Sequence, residues 1–216
     1  RIDISLANGA FTLHGGAGND TLIGGAMDDS IRGGAGKDSL NGGAGDDWFS
    51  FATTDVASGE SLDGGDGTDV IHVTSSTDFS GLSTIQLLDL GHVEVILISE
   101  GQTATFTGAQ LDGQALRVNS GGVGASTLAI VVADGDQVDF SLLVFTDFDD
   151  TLNGFYAFDQ TGSSDQAQIT GGSGTQDIKG TSLKDSISGG DGNDTLAGSG
   201  AADSIFGGGG NDWLVY

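Results

Sequence analysis

An all-β chain folded as a solenoid is what this sequence predicts, and three observations carry that reading. Large apolar residues recur every nine positions over two long stretches, a period that fits neither a helix nor a single strand. Glycine supplies 40 of the 216 residues and clusters beside aspartate in short turns. Between the two periodic stretches lie runs rich in β-branched and aromatic residues.

The first array occupies residues 1–72. Units beginning at Gly15, Gly24, Gly33 and Gly42 place Leu22, Ile31, Leu40 and Phe49 at their eighth position. The spacing extends back through Leu13 and Ile4, where the glycine turn has faded to LANGAF, so the array is expected to begin near Arg1. After an interruption at Phe51 to Thr54 the register resumes in DVASGESLD and GGDGTDVIH, with Leu62 and Ile71 in the column. Such a unit suits a turn of about six residues and a strand of about three, whose alternation points position eight inward and positions seven and nine outward. Two units make one coil, with a strand on each face and a turn at each edge. Stacked coils then pack their Ile and Leu columns into a thin core.

The middle, residues 73–154, loses the register but keeps strand-like runs: TIQLLDL, VEVILI, TATFT, ALRV, TLAIVV and QVDFSLLVF. A continuing solenoid of wider coils is the favoured reading, since both arrays then share one spine; an inserted β-sandwich is the rival. The second array, residues 155–216, returns to the nine-residue spacing with Ile169, Ile178, Ile187, Leu196, Ile205 and Leu214 in one column.

Charge narrows the partners. Asp and Glu number 31 against 6 Lys and Arg, a formal net charge of -25, so the compact chain repels itself and calls for a cation. Without a counter-ion, disorder is expected, although a hydrophobic content of 37% at regular spacing argues for a packed core. Nucleic acid and anionic membrane surfaces need clustered basic residues that are missing here. No apolar run approaches the ~18 residues of a membrane span. No cationic leader opens the chain. With no cysteine there is neither a disulfide framework nor a thiolate metal site, which permits extracellular life. Starting at Arg1 and stopping at Tyr216 soon after a repeat, the sequence reads as a piece of a longer protein.

The units GGAGNDTLI, GGAGKDSLN, GGDGTDVIH and GGDGNDTLA resemble the GGxGxDxUx nonapeptide of the RTX, or haemolysin-type calcium-binding, repeat family, and the resemblance covers about half the chain. It implies a right-handed parallel β-roll that holds several Ca²⁺ ions between turns of adjacent coils. The chemistry agrees, because calcium takes about six to eight oxygens, which carboxylates and main-chain carbonyls supply. On this reading the carboxylate ligands are Asp20, Asp29, Asp38, Asp47 and Asp69, then Asp185, Asp194, Asp203 and Asp212. The carbonyl candidates are Gly16, Gly18, Gly34, Gly36, Gly43, Gly45, Gly190, Gly192, Gly208 and Gly210. Same-edge turns lie two units apart, pairing Gly15 with Gly33, Gly24 with Gly42, Gly180 with Gly198 and Gly189 with Gly207.

Departures from the motif are specific. Met27 replaces a glycine, Lys184 stands beside Asp185, and Gln176 stands where an acid belongs, so those turns are expected to bind weakly or only to continue the solenoid. Glu60 occupies an aspartate position in a turn poor in the motif, a place from which its longer carboxylate could cap the file. His14, His72 and His92 are scattered, and neither HExxH nor GxSxG occurs, so catalysis is not expected within these residues. Trp48 and Trp213, at position seven, are expected to face outward, covering a solenoid end or packing on a neighbouring segment.

The resemblance implies a calcium-binding structural module of a larger secreted bacterial surface protein, of surface-layer or adhesin type, exported by type I secretion. It would fold, and assemble with itself or with neighbouring domains, on meeting extracellular Ca²⁺ without inserting into a membrane. The alternative is the C-terminal accessory or secretion domain of an RTX protease, lipase or alginate epimerase whose catalysis lies outside these residues. Carbohydrate or ice binding by the middle ranks last, since TATFT is too short for an ice-binding ladder.

Overall fold

The computed structural model describes residues 1–81, 92–112, 114–121, 126–132, 137–139, 144–146, 154–159, 168–171, 175–180, 184–198 and 200–215. The protein is all-β, with one short helix, α1 (Gly108–Leu111), among these residues. It divides into two compact units, Arg1–Ala104 and Thr105–Tyr216.

In the first unit, two parallel sheets face each other across the apolar column. One contains β1 (Ile2–Asp3), β3 (Thr21–Ile23), β5 (Ser39–Ala44) and β7 (Ser61–Asp66) in that order. The other contains β2 (Thr12–Ala17), β4 (Ser30–Ala35), β6 (Trp48–Phe51), β8 (Val70–Val73) and β10 (Val95–Ile98), each beside the next. The chain alternates between the sheets, so each strand pairs with the strand two elements later and the connection runs around the coil. Position eight faces inward as the alternation requires: Leu22, Ile31, Phe49 and Ile71 are fully buried, and Leu13, Leu40 and Leu62 nearly so.

Register shows where the coils widen. Leu13 pairs with Ile31 and Leu22 with Leu40, the 18-residue coil of two units. Leu40 then pairs with Leu62, and Phe49 with Ile71, because four residues at Phe51 to Thr54 are accommodated in the coil. Phe51 enters the core there, and its ring meets Phe79 edge-on at 5.4 Å between centroids. At the amino-terminal end Ile2, not Ile4, stands opposite Leu22. The connection from Ile4 to Phe11 is longer than a repeat turn and folds back on itself, with Ala7 N–H bonded to the Ile4 carbonyl at 2.7 Å, which moves the column by two residues.

The middle runs form parallel pairs in place of the antiparallel hairpins of a sandwich. Within the first unit Val95 to Ile98 pair with Val70 to Val73. Within the second, β12 (Arg117–Ser120) pairs with β15 (Val144–Thr146), and β13 (Thr127–Val132) with β16 (Gly154–Asp159), both parallel. The TATFT run is β11 (Thr103–Thr107), QVD is β14 (Gln137–Asp139), and the expected TIQLLDL strand lies outside the described residues.

The second unit repeats the two-sheet plan. One sheet orders β14, β17 (Gln168–Thr170), β19 (Ser186–Asp191) and β21 (Ser204–Gly209); the other orders β18 (Asp177–Lys179), β20 (Thr195–Ala197) and β22 (Trp213–Val215). Ile169, Ile187 and Ile205 align in the first, and Ile178, Leu196 and Leu214 in the second.

Candidate calcium centre

The turns on each edge stack so that seven of the nine sixth-position aspartates reach back one coil. On one edge of the first unit Asp38 Oδ1 accepts the Asp20 N–H at 2.8 Å. On the other, Asp29 Oδ1 accepts from Phe11, Asp47 Oδ1 from Asp29 and Asp69 Oδ1 from Asp47, at 2.7 to 2.8 Å. The second unit does the same: Asp203 Oδ1 accepts from Asp185, Asp194 Oδ1 from Gln176 and Asp212 Oδ1 from Asp194. One oxygen of each carboxylate thus fixes the turn to its neighbour, which leaves the other to be accounted for.

In five of the motif aspartates Oδ2 has no donor. Asp20, Asp38, Asp47, Asp69 and Asp194 each hold Oδ2 buried without a hydrogen-bond partner. Asp38, Asp47, Asp69 and Asp194 are at most 1% exposed. Burial pushes the Asp47 carboxyl up to about 7, aided by the charges of Asp69, Asp29 and Asp28. Burial likewise pushes Asp69 and Asp194 up to about 6. A buried carboxylate without a partner is strongly destabilising, so this arrangement calls for protons or for a cation.

Main-chain oxygens gather at the same places. A Cβ on Gly15 would meet the Gly33 carbonyl at 2.5 Å and Asp20 Oδ2 at 2.8 Å, so both acceptors face one small volume. The same pairing recurs at Gly42, with Asp47 Oδ2 and the Gly64 carbonyl, and at Gly189, with Asp194 Oδ2 and the Gly207 carbonyl. Among the described residues no three His, Cys, Asp or Glu side chains gather to hold a metal by themselves, so carbonyls must supply much of any coordination shell. An all-oxygen set of carboxylates and carbonyls suits a hard cation of calcium's size. The residues present fit Ca²⁺, which when bound supplies the positive charge these carboxylates lack.

All ten glycines expected to offer carbonyls have positive φ, from 98° at Gly34 to 139° at Gly36. Gly65 and Gly67 share that geometry, at 107° and 143°, and belong with them. Their turn, GGDGTD, carries the full motif, so the signal was present in the sequence. The expected turn partners do stack: Gly16 pairs with Gly34 and Gly190 with Gly208 in register, and the Gly24 and Gly180 N–H groups bond to Asn41 and Ala197 of the following coil.

The Met27 turn differs in a way that bears on Asp29. Gly25 is not among the positive-φ glycines, and its N–H donates to Asp29 Oδ2 at 2.7 Å. Both Asp29 oxygens therefore hold main-chain donors, whereas the complete GGxGxD turns leave Oδ2 open. Gln176 takes the sixth position in its turn and is buried at 1% exposure. Asp185 is buried, and Asp203 and Asp212 are half-buried near the carboxyl-terminal coils.

A second ladder was not anticipated. Position five bonds in the opposite direction, with Asn19 Oδ1 accepting from Lys37 N–H, Asp28 from Asp46, Asp46 from Thr68 and Asn193 from Asn211, at 2.8 to 3.0 Å. Lys37 offers no acceptor, and its stem lies over Gly59. The Asn and Asp residues at this position carry the signal, as they favour local turns whether or not a neighbouring coil is present.

Among the described residues, several other polar groups find their partners within the protein. Arg32 clamps buried Asp55, with Nε at 2.8 Å from Oδ2, so this carboxylate has its own cation. Trp48, 36% exposed, donates its indole N–H to His72 Nδ1 at 3.1 Å, and His72 Nε2 lies 2.9 Å from Ser99 Oγ. Since an indole can only donate, neutral His72 carries its proton on Nε2 and donates to Ser99, the reverse of a base activating a serine. Trp213 remains 69% exposed.

A parallel β-roll whose edge turns present unpartnered carboxylate oxygens beside main-chain carbonyls defines a calcium-binding repeat protein. Residues 14–49, 59–79 and 179–214 match the family model of the RTX calcium-binding nonapeptide repeat, in 4 copies, and the chain carries that repeat. Comparison with curated proteins and with solved structures found no match. Among the described residues no helix is long and apolar enough to cross a membrane.

Proposed function

We propose that this calcium-binding module is a non-catalytic structural part of a larger secreted bacterial surface protein, of surface-layer or adhesin type, which folds when Ca²⁺ fills its turns. The observation that carries this reading is the row of buried, donorless Oδ2 atoms at Asp20, Asp38, Asp47 and Asp69, repeated at Asp194. Where calcium is scarce these charges, within a net charge of -25, oppose compaction; where calcium is plentiful, its binding free energy becomes folding free energy. The Asp ligands and glycine carbonyls named above hold the ions, with Asp38, Asp47, Asp69 and Asp194 the leading carboxylates and Asp29 the weakest of the first array.

The His72–Ser99 polarity and the absence of HExxH and GxSxG support a structural role. The experiment is light scattering and negative-stain microscopy of the chain as calcium is added. Ordered assemblies that dissolve in chelator support the surface-layer type. A folded, calcium-loaded chain that stays monomeric at high concentration argues against self-assembly and leaves only the calcium-binding module.

A further inference from the structure

We propose that the file of sites on each edge of the first unit runs one turn past the glycine-aspartate repeats and closes on a glutamate, Glu60 on one edge and Glu94 on the other, each the terminal carboxylate of a further calcium site. The inference rests on the calcium reading above and extends it to turns that lack the repeat.

Glu60 follows Asp20 and Asp38 along the first edge. Its turn lacks the double glycine, yet the carboxylate lies close enough to the Asp38 main-chain N–H to be stabilised by it as an anion. Oε2 accepts the Ala57 N–H at 3.3 Å. Glu60 is 2% exposed, and Oε1 is buried with no partner. The charges acting on it are those of Asp38 and Asp55, both negative, and Arg32 is already engaged by Asp55. Asp38 Oδ2, the next unpartnered oxygen back along this edge, belongs to the same stacked pair of turns.

Glu94 closes the second edge. Its Oε2 accepts the Asp69 N–H at 2.7 Å, as Asp69 Oδ1 accepts that of Asp47 at 2.8 Å. Against Gly64 stand Asp69 Oδ2 and the His92 carbonyl, just as Asp47 Oδ2 and the Gly64 carbonyl stand against Gly42. Asp69 is fully buried and its Oδ2 has no donor. The pair of acceptors that marks a repeat turn is therefore reproduced where the sequence, GHVEV, has no repeat. Both glutamates sit where coils exceed 18 residues.

The test counts ions. The full chain, with Glu60→Gln, Glu94→Gln and the exposed Glu100→Gln as control, is titrated with calcium chloride by calorimetry and native mass spectrometry. Glutamine keeps an acceptor for the main-chain donor and removes a buried charge, so folding is retained; Glu60→Met is the second variant should E60Q not reach the folded baseline. Each Gln variant is expected to bind about one ion fewer per chain than wild type, with E100Q unchanged. Wild-type stoichiometry and affinity in E60Q or E94Q would overturn the proposal for that edge. A wild-type chain that binds no calcium would instead overturn the reading on which it rests.

Discussion

Asp47 Oδ1 accepts the Asp29 N–H at 2.7 Å while Asp47 Oδ2, equally buried, has no partner. One side chain thus joins two coils and leaves an uncompensated carboxylate oxygen between them, and the two roles can be separated by substitution. Asp47→Asn keeps an acceptor for the Asp29 N–H and removes the charge. It should weaken calcium binding about tenfold or more while leaving calcium-free stability unchanged or raised. Asp47→Ala removes both, and should also lower calcium-free stability by about 1–3 kcal/mol through the stranded N–H. Calorimetry with calcium, and urea unfolding in chelator at pH 5 where protonated carboxyls hold the calcium-free fold, distinguish the two; identical behaviour of the variants would show that only one role exists.

Gly34 and Gly18 separate backbone conformation from contact between coils. Gly34 has φ of 98° and a Cβ there would strike the Gly16 carbonyl, whereas Gly18, at 102°, has nothing within 4 Å of that position. Gly18→Ala should cost about 1 kcal/mol of backbone strain, and Gly34→Ala about 3 kcal/mol because the coil must also shift. Equal losses by urea unfolding in saturating calcium would count against close stacking of these turns.

Acidity should act in opposite directions on the two states. Burial holds Asp47 near about 7 and Asp69 and Asp194 near about 6 in the calcium-free fold, above the ~3.9 of an unfolded aspartate. Groups raised in this way stabilise the fold below the unfolded value and lose that contribution as pH rises through about 6 to 7. Calcium-free protein should therefore resist urea better at pH 5 than at pH 8, while calcium affinity falls at pH 5 as protons compete. The reverse order in chelator would show that these carboxyls are not buried without donors.

The apolar column should carry the fold on its own terms. Ile31 is fully buried between Leu13 and Phe49 in successive coils. Ile31→Ala should destabilise the calcium-loaded chain by about 2–4 kcal/mol without changing the number of ions bound. Thermal unfolding and calorimetry on the same sample check both halves.

The column at position eight and the acids at position six were legible because a fixed spacing repeats them, and the parallel roll follows from the two together. Insertions were not legible in the same way. A nine-residue period says where Leu40 and Leu62 belong in their units, but only the register shows that Phe51 to Thr54 widen the coil around a buried Phe51. Ile4 fits the spacing, yet Ile2 fills the column, because a loop that bonds to itself absorbs residues without displacing the strand that follows. Asp29 carries the motif acid, but the peptide orientation at Gly25 gives its Oδ2 a donor, a difference that no composition reveals. Glu94 lies in a segment with no glycine pair, so only the stacking of Val95 on Val70 brings it to the edge occupied by Asp69.

The central claim is that unpartnered turn oxygens make folding depend on calcium. Far-ultraviolet circular dichroism during a calcium titration, reversed with EDTA, measures this most directly. The account predicts a β signal that grows cooperatively with calcium and collapses in chelator at neutral pH. A β signal equally strong in EDTA, with no heat of calcium binding by calorimetry, would contradict it.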